Sequence, residues 1–188
     1  MSTRLLVLTL VASVMLSSFG TAPAISRMWK VSPIAMAQDY ATINDNRGHG
    51  DVVLLMWFVP QMVAPGSPGT VTMVTMLRKY VVVMVGHGHL DTSTGRISFD
   101  DIGALQASDQ DGRTLTPVAR NDLPPVTNGA LTTVESIMRQ ALGTFGSGMK
   151  MFAFDAGHID TCSKGRLSIP LAGETYTWDT PIPGCQQN

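Results

Sequence analysis

The stretch "YVVVMVGHGHLDTSTGRISFD", Tyr80 to Asp100, decides how this chain is read. Tyr80 to Val85 is an unbroken run of apolar, mostly β-branched side chains, which fits a strand buried on both faces. "LDTSTG" is turn chemistry, and "GRISFDD" then alternates Ile97 and Phe99 on one face, so the chain is expected to fold back as an antiparallel partner. Towards the N-terminus, "VVLLMWFV" (Val52 to Val59) is a second buried strand closed by Pro60. A loop rich in proline and glycine follows it. In "TVTMVTMLRK", Met73, Met76 and Leu77 share helical spacing while the valines and threonines favour a strand, and both readings stand.

Towards the C-terminus, "LQASDQDGRTLTPV" predicts a second hairpin turning at Asp111 and Gly112. Its "DQDG" is not a calcium loop, since the acidic first position and the closing glutamate are missing. A helix is predicted from about Ala130 to Leu142, where Leu131, Val134, Met138 and Ala141 form one stripe, with Asn128 as its N-cap and Gly143 at its end. "GTFGSG" reads as a connector. "MKMFAFD", "GRLSIPL" and "ETYTWDT" are three more strands. Strands and helices do not alternate, so the expected fold is mainly β. It is a single-domain antiparallel β-sandwich or partly open barrel, with one amphipathic helix across one end and a disulfide-pinned C-terminus.

The opening "MSTRLLVLTLVASVMLSSFGTAPA" has a basic residue, an apolar core and small residues at its end, the layout of a secretory signal peptide over residues 1–24, with cleavage as late as Ala37 as the alternative. Export to a periplasm or the medium is expected, with no membrane-spanning segment after the leader is removed. The remaining residues 38–188 make one β-rich domain. With 13 Lys and Arg against 14 Asp and Glu, a net charge of −1, the chain lacks the basic footprint of a nucleic-acid binder. A small-molecule ligand or substrate is the expected partner. Both cysteines, Cys162 and Cys185, lie in the exported part, where pairing is favoured over free thiols. Closing that loop contributes about 3 kcal/mol in the chain-entropy model.

All four histidines follow glycine, and each has an aspartate or histidine two residues later: "GHGD" at His49, "GHGH" at His87, "GHLD" at His89 and "GHID" at His158. In extended backbone, residues two apart share a face, so each pair can present two ligand atoms, or a carboxylate that orients an imidazole. Imidazoles suit a divalent metal, with zinc the first choice and copper or calcium as alternatives. His87, His89 and His158 are the expected ligands, and Asp91 and Asp100 the candidates for a remaining ligand or catalytic base. The strands before His87 and His158 have the same form, which predicts that both histidines end on the same side of the sheet. The competing reading is a strand end whose histidines face solvent beside a turn.

"HGHLD" resembles the His-x-His-x-Asp-His motif of metallo-β-lactamase-like hydrolases at His87, His89 and Asp91, with Thr92 where their last histidine stands. The spacing from His87 and His89 to Asp100 is similar to that of JAMM-type metalloproteases, whose upstream glutamate has no counterpart because the first glutamate here is Glu135. Each resemblance covers a few residues, and neither assigns a family. As an enzyme, the protein is expected to be a metal-dependent hydrolase of a small ester or lactone. As a non-enzyme, it is an exported binding or structural β-sandwich. The exported methionines are read as core filler rather than copper ligands, and Tyr176 and Trp178 as packing near the disulfide rather than a stacking platform.

Overall fold

The computed structural model describes residues 24–26, 41–44, 50–63, 66, 69–182 and 185. The expected leader up to residue 23, the alternative cleavage position at Ala37, and His49 lie outside the described residues. In chain order the elements are β1 (Ala24–Ser26), β2 (Ala41–Asn44), β3 (Asp51–Phe58), α1 (Thr70–Lys79), β4 (Tyr80–Asp91), β5 (Arg96–Phe99), β6 (Pro117–Val118), α2 (Pro125–Leu142), the short α3 (Thr144–Ser147), β7 (Lys150–Asp155), β8 (Gly165–Leu171) and β9 (Glu174–Thr180). They form two sheets, and neither closes into a barrel. One has the order β2-β3-β4-β7-β6 with β5 also paired to β4, and the other has the order β1-β9-β8. All described pairings are antiparallel except that of the short β1 with β9.

The apolar run makes β4 the central strand, because Val82 to Val85 are sealed from solvent on both faces of the sheet. Helices cover one face. Alternate residues Met56 and Val82 look towards Met76 of α1 and Leu131 of α2. The β8–β9 hairpin covers the other face, where Trp57 meets Trp178 edge to face with ring centroids 6.2 Å apart. Both rings are fully buried, as is Tyr176, whose hydroxyl donates to Glu174 Oε2 at 3.1 Å. This is packing, and no stacking surface for a ring ligand is left. Cys162 and Cys185 form the expected disulfide, with their Cα atoms 5.3 Å apart. No helix among the described residues is long and apolar enough to cross a membrane.

One open reading closes and three local expectations change. The ambiguous "TVTMVTMLRK" is helix α1: it buries only Met76 and Leu77 and exposes Val71, so one stripe and not alternation sets its burial. There are thus two substantial helices, and they pack on a sheet face rather than across one end. Helix α2 starts at Pro125, where the missing N–H is no loss in a first turn, so Asn128 lies inside the helix and accepts from Arg120 Nη1 at 3.3 Å instead of capping. The second hairpin turns where predicted, though it is short: its antiparallel bridge is Ser108 to Thr114, the Leu115 N–H donates to the Ala107 carbonyl at 2.8 Å, and Asp109 Oδ1 accepts the N–H groups of Asp111 and Arg113 at 2.9 Å each. "GTFGSG" carries α3 instead of a plain connector.

Candidate metal centre

Strand β4 has β3 along one side from Val82 to His89, but two partners in turn along the other. β7 pairs with Tyr80 to Val85, and β5 pairs with Gly88 to Asp91. The change of partner falls at Gly86 and His87. There the Asp100 N–H donates to the His87 carbonyl at 2.8 Å, and the end of β5 delivers Asp100 beside the imidazole. On the opposite side, the β3–β4 register sets Asp51 across from His89 and Val53 across from His87. Paired antiparallel residues share a face. Asp51, His87 and His89 therefore converge on the hairpin-covered face of the larger sheet.

Two glycines permit this convergence. Gly50 has φ +62°, and a Cβ there would strike the Leu90 carbonyl, whose own N–H donates to Gly50 at 2.8 Å. At Gly88 a Cβ would run into the Ser98 carbonyl and lie 3.1 Å from Phe99 Cα, so β5 reaches its position only beside glycine.

Asp100 Oδ2 is 2.7 Å from His87 Nδ1 and 3.4 Å from His89 Nε2. The two rings stand 5.4 Å apart between centroids. A carboxylate beside Nδ1 favours the tautomer that keeps the lone pair of His87 on Nε2. That Nε2 is buried and has no hydrogen-bond partner among the described residues. Asp51 Oδ1 is also buried, and although it lies 2.5 Å from His89 Nδ1, the two do not meet in hydrogen-bond geometry. Leaving two such atoms unsatisfied costs free energy on the order of 1–3 kcal/mol each. One ligand atom from each of Asp51, His87 and His89 lies within 4.8 Å of the others, and the group could hold a metal ion. It is half open: the side chains of His87 and Asp51 are 18% and 14% exposed, those of His89 and Asp100 46% and 43%.

His158 is not with them. Because β7 is antiparallel to β4, with Tyr80 opposite Asp155, the chain leaves β7 at the far end, where the Ala156 N–H donates to the Lys79 carbonyl at 3.1 Å. Seven residues of strand separate Tyr80 from His87, roughly 24 Å. The expectation that His87 and His158 end on one side is thus overturned, because two neighbouring antiparallel strands finish at opposite edges of a sheet. His158 instead borders a shallow depression with Asp109 and Asp111.

Asp91 belongs to the turn. Its Oδ1 accepts from the Ser93 hydroxyl at 2.6 Å and the Ser93 N–H at 2.8 Å, and its Oδ2 accepts from the Thr94 hydroxyl at 2.7 Å. The Ser93 hydroxyl first, then that of Thr94 and the Ser93 amide, pull its carboxyl from 3.8 down to about 2. A carboxyl lowered in the folded state stabilises it above the ordinary pKa, and that contribution fades as pH falls through the lowered one. Asp91→Asn should therefore be less stable than the parent near neutrality, with the gap in melting temperature closing between about pH 4 and pH 2. A gap independent of pH in acid would remove the carboxylate from this role.

Sequence reasoning missed Asp51 as a site residue, because "GHGD" read locally pairs it with His49. The signal was available: two apolar runs of similar length, one preceded by "GHGD" and one followed by "GHGH", place these motifs opposite each other once the runs pair antiparallel. No protein-family model matches the chain, and no curated protein or solved structure matches it.

Proposed function

We propose that this is an exported protein that binds one divalent transition metal, zinc by preference, through Asp51, His87 and His89, with Asp100 orienting the imidazoles. The observation that carries the reading is the pair of buried, unsatisfied atoms, His87 Nε2 and Asp51 Oδ1, within a group whose ligand atoms lie inside 4.8 Å. A carboxylate behind a ligating histidine is the usual way a protein fixes tautomer and ring angle. Two imidazoles and one carboxylate suit zinc or copper, whereas calcium wants six or more oxygens. The disulfide and the apolar leader favour an oxidising compartment outside the cytoplasm.

Three protein ligands leave zinc a position for water, whose pKa the metal lowers towards neutrality. The solvent-facing sides of His89 and Asp100 support access of a small ester or lactone to such a metal. Hydrolysis is the activity that follows from this reading.

Protein purified without a metal-affinity tag should carry about one zinc per chain by elemental analysis. The His87→Ala, His89→Ala double variant should carry none and should lose any zinc-dependent cleavage of 4-nitrophenyl acetate. If the parent carries no metal and takes up none from equimolar zinc, the group is a histidine–aspartate charge network and the proposal fails. Zinc without turnover would leave the binding role and remove the hydrolase.

A further inference from the structure

On the other face of the larger sheet, between α1 and α2, lies a cavity of about 230 Å³. Six of its twelve lining residues are methionines, Met56, Met62, Met73, Met76, Met138 and Met151, and none of the twelve is polar or charged. Met56 and Met151 rise from β3 and β7 as its floor, while Met73, Met76 and Met138 come from the two helices. The lining runs from buried residues such as Met56 and Leu131 to partly exposed ones such as Phe58 and Met62, so the cavity has a mouth. It shares no residue with the histidine group, whose side chains occupy the opposite face.

We propose that this cavity is a binding site for the hydrocarbon portion of a small amphiphile, a saturated chain of about nine carbons by scaling from the 150 Å³ apolar cavity that holds benzene. Three features point to this ligand class. The volume is too large to be an ordinary packing gap in a protein interior. A wall without donors or acceptors gives a polar group nothing to bond, so the ligand's head must remain in the mouth and its tail inside. Methionine side chains are unbranched and polarizable, and adapt to chains of differing shape. The remaining buried methionines, Met84 and Met149, are fully packed and do not line the cavity.

The experiment is a calorimetric titration of the full exported protein with straight-chain alkanoic acids of four to fourteen carbons, held below their micellar concentrations. Binding should be saturable, one to one, and tighten about fourfold per methylene up to about nine carbons before levelling off. In protein labelled with ¹³C at the methionine methyls, decanoate should shift the resonances of Met56, Met73, Met76, Met138 and Met151 and leave those of Met84 and Met149 in place. Met138→Trp, which fills the cavity from its mouth, should weaken decanoate at least tenfold at an unchanged or raised melting temperature. The proposal is overturned by absence of saturable binding, by affinity that keeps rising with chain length, or by shifts that spare the lining methionines. It is also overturned by full affinity in a folded Met138→Trp protein, and if that variant does not fold, the methyl resonances of the parent decide alone.

Discussion

Zinc affinity should fall by more than about 100-fold when Asp51 is replaced by alanine, since losing a residue behind a ligand already costs 10–100-fold. The effect on Asp51 is expected because its Oδ1 is buried 2.5 Å from His89 Nδ1 across the β3–β4 ladder, with no hydrogen-bond partner among the described residues. Asp100→Ala should produce the smaller loss, on the order of 10–100-fold, because Asp100 Oδ2 touches His87 Nδ1 and leaves the opposite nitrogen for the metal. Asp91→Ala and His158→Ala should leave affinity unchanged, one carboxylate being held by its own turn and the imidazole standing at the far end of the sheet. Competition against a chromophoric chelator at constant pH measures all four. Parent-like affinity in Asp51→Ala, or a large loss in His158→Ala, would mean that the ligands have been assigned wrongly.

That contrast between Asp51 and His158 marks how far the sequence could be read. The run Tyr80 to Val85 announced a doubly buried strand because burial on both faces demands apolar residues at every position, and such a signal is local. The turn at Asp91 was legible for the same reason, and the disulfide because the two cysteines of an exported chain have only each other to pair with. Spatial neighbours were harder. The likeness of the segments before His87 and His158 concerns composition, whereas the end of the sheet each reaches depends on pairing direction, which composition does not carry. Asp51 stands 36 residues before His87 and meets His89 only through register. Helix α1 was undecided because threonine and valine prefer strands while burial of Met76 and Leu77 against the sheet favours a helix, and tertiary packing settled the contest.

The two glycines that flank His87 should differ in how much a side chain costs, and the difference links the fold to the site. Gly86→Ala places its new methyl 3.3 Å from Met149 Cγ, an atom of a flexible side chain that can give way, so a cost within about 1 kcal/mol is expected. Gly88→Val meets backbone instead, at the Ser98 carbonyl and the Phe99 Cα, and neither can move without unpairing β5 from β4. Valine is the better strand former, so propensity alone would make this change stabilising. The expected result is a loss of about 3 kcal/mol in urea unfolding. Because β5 leads directly into Asp100, its displacement also withdraws the carboxylate from His87 Nδ1, and the folded fraction should bind zinc 10–100-fold more weakly. Equal stability in the two variants would show that β5 does not press on Gly88. A destabilised Gly88→Val with undiminished zinc affinity would separate β5 from the orientation of the imidazole and leave Asp51 and the two histidines to hold the metal without it.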